Sequence, residues 1–204
     1  MIRNRILSAA LAGTLAAFTV GGAALAAPEG QRQRGSTEHQ TEAAAVLGAR
    51  IAPADAVTAA ERIASGRAVK LSMEHENGAR LYEVRVASGD QMVTVIIDPS
   101  TGAGRAIENQ GFLSRLLDRA DKDELQAMLQ ASTTLGQAIA AAEHAAGSGR
   151  AVEASWEDDG QAHGYEVEVA REGGSVTKLF VDAASGQARV VGQPALNGNR
   201  GQVR

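Results

Sequence analysis

From residue 53 onward, apolar and polar positions follow a pattern that changes period. Pro53-Ala54-Asp55 opens an Ala-rich stretch through Ala64 that predicts a helix, with Asp55 as N-cap, Glu61 on the exposed side and Gly66 as the stop. Val69, Leu71 and Met73 then alternate with Lys70, Ser72 and Glu74, the period of two of a half-buried strand. His75-Glu76-Asn77-Gly78 is hairpin chemistry, because Asn-Gly accepts the positive φ angles of a tight turn. Tyr82, Val84 and Val86 alternate again, Ser88-Gly89-Asp90 turns the chain, and Val93, Val95 and Ile97 predict a third strand. The unit so read is a helix followed by three antiparallel strands.

The same pattern then recurs. Ala56 to Glu61 matches Ala138 to Glu143, Gly66-Arg67-Ala68-Val69 matches Gly149-Arg150-Ala151-Val152, and Tyr82 to Ala87 matches Tyr165 to Ala170. The copies close on Asp98-Pro99-Ser100-Thr101-Gly102 and Asp182-Ala183-Ala184-Ser185-Gly186. In the second copy Val152-Ala154-Trp156, Tyr165-Val167-Val169 and Leu179-Val181 take the strand positions. Two modules are expected, 51–107 and 136–191, with a flexible leader over 27–50 and a flexible tail over 192–204. So small a unit buries too little apolar surface to stand alone, so the two sheets, or their helices, are expected to pack together. Phe112-Leu113, Leu116-Leu117 and Leu125 to Leu129 have helical spacing, which makes 108–135 a helical connector sealing the joint. The fold class is α+β.

The N-terminal stretch has a different character. Arg3 and Arg5 precede an apolar run from Ile6 to Val20, and Ala24-Leu25-Ala26 gives the small-x-small pattern of a signal-peptidase site. Residues 1–26 are therefore expected to be a signal peptide, although about 20 apolar residues also suffice for a retained anchor. The expected location is periplasmic or secreted, with no membrane attachment after cleavage.

Composition narrows the chemistry. Aromatic residues make up 3% of the chain, too few for base-stacking or sugar-binding platforms. With 20 basic and 24 acidic side chains the net charge is −4, and cleavage after Ala26 would remove two arginines and give −6. Neither value suits a phosphate backbone. Zero cysteines exclude disulfides, thiolate metal sites and cysteine nucleophiles.

Candidate site residues are sparse. Of the four histidines, His39 lies in the leader and His144 on a helix face expected to be solvated. His75 and His163 flank the first hairpin of their copies beside Glu74, Glu76, Glu157, Asp158 and Asp159, a conceivable weak cation site. One precedes its turn and the other follows it, so they are not equivalent ligands. The run Asp118 to Glu124 lacks the central Gly and distal Glu of a calcium loop, and Gly147-Ser148-Gly149 lacks the Lys of a phosphate loop. No catalytic, cofactor-binding or metal residue is assigned, and no cofactor is expected.

The repeated order of helix, strand, Tyr-Glu-Val-x-Val and Asp-x-x-Ser/Thr-Gly resembles the PepSY domain. Its two hallmarks stand at Tyr82 to Val86 with Asp98 to Gly102, and at Tyr165 to Val169 with Asp182 to Gly186. The resemblance implies a non-enzymatic, exported bacterial protein that binds and inhibits or regulates a peptidase, here in trans because no peptidase domain is attached. Binding would use a strand edge or an open sheet face. The alternative is an extracytoplasmic sensor of a small ligand or metal. The hallmarks themselves also have a purely structural role: a core tyrosine with its hydroxyl at a polar edge, and an Asp-Gly turn.

Overall fold

The computed structural model describes residues 41–107, 119–158 and 162–192. The expected signal peptide, most of the leader, Phe112 to Leu117 and the tail beyond residue 192 lie outside the described residues.

The first module runs α1 (Pro53–Ala64), β1 (Arg67–Glu76), β2 (Ala79–Ser88), β3 (Gln91–Ile97) and β4 (Gly104–Ile107). After helix α2 (Arg119–Gln130), the second repeats it as α3 (Leu135–Ala145), β5 (Arg150–Asp158), β6 (His163–Ala170), β7 (Val176–Asp182) and β8 (Ala188–Gly192). The expected α+β class is present, with two corrections. Each module has four strands instead of three, and the two sets merge into one eight-stranded antiparallel sheet in the order β4-β3-β2-β1-β5-β6-β7-β8. Two separate sheets packed together do not form.

The Asp98 hallmark makes the fourth strand. Asp98 Oδ1 accepts the Ser100 and Thr101 amides at 2.7 and 3.1 Å, and Gly102 takes φ 74°. The chain thereby reverses from β3 into β4, and Asp182 with Gly186 does the same between β7 and β8. The single sheet follows from the free side of β1. Its backbone groups pair with β5, Lys70 opposite Ser155 and Ser72 opposite Glu153, which satisfies an edge that separate sheets would leave open. Since β1 and β5 are equivalent strands, an approximate two-fold axis passes between them.

The described helices lie on one face of the sheet. Ala56, Val57 and Ala60 of α1 and Ala138, Ile139 and Ala142 of α3 are buried, and small residues let the two helices approach at the axis. Tyr82, Val84, Val86, Val95 and Ile97 fill the core beneath α1, and Tyr165, Val167, Val169, Leu179 and Val181 beneath α3.

Helix ends differ from expectation. The N-cap of α1 is Ala52, with Pro53 at the first helical position, so Asp55 serves the first turn through its charge. Ser65, at φ 52°, carries the left-handed turn that ends α1. In the second copy Thr134 and Gln137 form a reciprocal capping box. The expected leader also changes character before its end. Residues 41–47 are helical, and Ala43 and Val46 are fully buried in the core. Three alanines and Val46-Leu47 supply the apolar face that Gln-Arg-rich sequence further upstream lacks. In the second half, Met128 of α2 occupies the place of Val46. The repeat therefore reaches upstream of both predicted modules.

Candidate functional site

The polar core of the molecule is the joint between modules, where two equivalent nodes form. At the first, Tyr82 Oη donates to the Ile51 carbonyl at 3.1 Å, and Arg150 of the second module donates to the carbonyls of Ala49 at 2.7 Å and Ile51 at 3.5 Å. At the second, Tyr165 Oη donates to the Thr133 carbonyl at 3.0 Å. Arg67 of the first module donates there to Leu129, Ala131 and Thr133 carbonyls at 3.1, 2.7 and 3.1 Å. Each arginine thus crosses the axis and satisfies carbonyls left open where the opposite module's leading helix ends.

Local geometry aims these arginines. Gly66 and Gly149 pass beneath the Ala87 and Ala170 carbonyls so closely that a Cβ would lie 2.2 and 2.4 Å from the oxygen. Directly after, the Ala68 amide donates to Glu61 at 2.9 Å and the Ala151 amide to Glu143 at 2.8 Å. A bulge at Val69 and another at Val152 accommodate the turn into the strand. Glu61, expected to point to solvent, instead fastens the start of β1. Burial pushes the Tyr82 phenol up to about 12 against the opposing pull of Arg150, and it raises Tyr165 likewise against Arg67. Burial also raises the Glu143 carboxyl, opposed by the Ala151 amide and Arg150.

The face away from the helices is mostly polar, with Ile96 beside Glu83 and Phe180 beside Glu166 nearly buried among the charged side chains, and no described helix packs over it. Lys70 meets Glu153 at 2.7 Å across the joint, and Arg85 meets Glu83 at 3.3 Å. Positions 70 and 153 are equivalent in the two copies and carry opposite charge. Identical residues would have set like charges against each other beside the axis. Lys178 pairs with Glu166 and Glu168. Burial disfavours its charge, but the two carboxylates outweigh that and hold its pKa above the usual lysine value. At the two ends of the sheet, β4 and β8 each pair on one side only among the described residues.

The residues singled out in the sequence disperse. His75 and His144 are exposed, His163 stacks on Trp156 at 6.1 Å, and His39 lies outside the described residues. Asp159 and the tip of the β5–β6 hairpin also lie outside them. Among the described residues, no three His, Asp or Glu side chains gather as a metal would require. Tyr82 and Tyr165 sit on the core face with their hydroxyls at polar edges. Ser185 holds the exposed Asp182 carboxyl below its usual range through its hydroxyl and its amide. Arg67, Arg150, Glu61, Glu143, Gly66 and Gly149 had no assigned role beyond helix and turn boundaries, although their repetition in both copies was the available signal.

These features define a class: a duplicated α+β protein built on one antiparallel sheet, with Arg67, Arg150 and both tyrosines spent on the joint and its outer strands open among the described residues. The PepSY family model, described as peptidase propeptide and YPEB domain, matches residues 50–107 and 134–189, and the chain belongs to that family. No curated protein matches the chain. Among solved structures it is similar to a candidate lipoprotein from Clostridium difficile, at 19% identity over 71% of this chain and 93% of that one, with a TM-score of 0.38.

Proposed function

We propose that this chain is an exported, non-enzymatic PepSY protein that binds a peptidase outside the cytoplasm and restrains it. The observation that carries the reading is the open sheet of a twice-repeated propeptide-type module, in which β4 and β8 each pair on one side only and one face meets no helix among the described residues. A protein surface of that kind recognises an extended chain or another sheet, and it requires no pocket or bound group. The pattern of residues 1–26 supports an extracytoplasmic place. The test is to titrate the purified chain against a panel of secreted thermolysin-type metallopeptidases, following peptide turnover and the integrity of the added protein. Stoichiometric loss of turnover with the protein intact is expected. Unchanged turnover across the panel, or rapid digestion of the chain, would refute the proposal.

A further inference from the structure

The two open edges are equivalent in topology but not in surface. Gly104, Arg105, Ala106 and Ile107 of β4 correspond to Ala188, Arg189, Val190 and Val191 of β8. In the first module the bulk is on the helix. Ile63 of α1 and Ile97 of β3 lie over Gly104, where a Cβ would come within 2.5 and 2.4 Å of them. In the second module the bulk has moved to the strand: the counterpart of Ile63 is the small Ala145, and β8 carries Val190. That valine is 56% exposed and Val191 43%, two of the three exposed large hydrophobics among the described residues. Edge strands are ordinarily guarded by Lys, Pro or inward-pointing charge. On β8 the only charge is Arg189, whose guanidinium lies over the Phe180 ring at 4.6 Å.

We propose that β8, and not β4, is the edge that takes the partner. An extended segment of the peptidase adds to it as a further antiparallel strand, with an aliphatic side chain against Val190 and an acidic one beside Arg189. This rests on the peptidase-binding reading above and names the surface and the chemistry of the segment. The ladder to β7 pairs Ala188, Arg189 and Val190 in regular register and leaves Val191 as the extra residue of a bulge. The regular edge is therefore short, and side chains must supply much of the selectivity. Lys178, one strand in on the outer face, is already held by Glu166 and Glu168, so the preference for a carboxylate over a lysine or arginine on the incoming strand comes from Arg189 on β8 itself.

The test compares Val190→Lys with Ala106→Lys, the same charge placed at the equivalent exposed position of the other edge. Val190→Lys is expected to raise the inhibition constant by roughly tenfold or more, the loss typical of an interface anchor, with an unchanged melting temperature. Ala106→Lys leaves inhibition as it was. Hydrogen exchange on the wild-type complex should show new protection at β8 amides. Equal inhibition by Val190→Lys and wild type overturns the edge assignment while leaving peptidase binding intact, as does an effect confined to Ala106→Lys. A wild-type dimer that Val190→Lys dissolves also overturns it, since a second copy would then fill the edge. A wild-type chain that inhibits no enzyme of the panel removes the peptidase reading itself, and this assignment with it.

Discussion

Tyr82 and Tyr165 are the only tyrosines of the chain, and each is buried with its hydroxyl on a backbone carbonyl. Because burial holds Tyr82 at about 12 against 10.0 for a free phenol, the unfolded chain loses that proton first as pH rises. The folded state binds the extra proton, so stability falls with pH from about 10 upward and the loss is complete only above about 12. Tyr165, raised in the same direction, adds to it. Tyrosinate absorbance in an alkaline titration should therefore appear together with loss of circular dichroism. Ionisation near pH 10 in a chain that stays folded would contradict the burial of these hydroxyls. At this scale the rings were legible, because strict alternation puts Tyr82 among Val84 and Val86 on the core face. Their arginine neighbours were not. Arg150 arrives from the other copy, and a repeated Gly-Arg-Ala-Val says nothing about which carbonyls its arginine will meet.

Among elements, the turn from each first helix into its first strand governs the rest, since it places the glycine, aims the arginine and seats the bulge. Gly66→Ala or Gly149→Ala drives a methyl into a backbone carbonyl that the sheet ladder holds in place. Each is expected to lower unfolding free energy by about 1–3 kcal/mol. Gly149 should cost more, because its φ of 133° is strained for any side chain. Denaturant titration measures both, and changes within about 0.5 kcal/mol, the range of ordinary surface substitutions, would mean that the close approach relaxes. Three strands per module were readable as runs of alternating Val, Ile and Leu. The fourth was hidden because β4 is a four-residue strand of Gly, Arg, Ala and Ile, with no apolar alternation to detect. Its trace was the Asp-x-x-Thr-Gly turn, which only makes sense if the chain folds back. Residues 41–47 escaped for a related reason: one short helical stretch with three alanines and a single Val-Leu pair looks like linker until Val46 is seen to occupy the place that Met128 takes in the second half.

For the whole molecule, the continuous ladder through β1 and β5 and the two crossing arginines make the halves one unit. A single calorimetric transition is expected, and Arg67→Met should lower its midpoint without splitting it. Arg67 reaches three carbonyls and Arg150 two, so Arg150→Met should have the smaller effect. Two resolved transitions in the wild type would show that the joint does not couple the modules. The duplication and the need for mutual burial were legible from length and repetition. The edge-to-edge form of the joint was not, because nothing in an alternating strand marks whether its free side meets solvent or its own counterpart. The reciprocity of the joint also has a consequence in time. On the ribosome the first module's strands are all synthesised by residue 107, yet Arg67 then has no Leu129, Ala131 or Thr133 to grip, and Tyr82 no Arg150 beside it. The earlier half must wait, incompletely locked, for the later half to emerge, so a nascent chain of this design stays pliable until nearly three-quarters of it has been made.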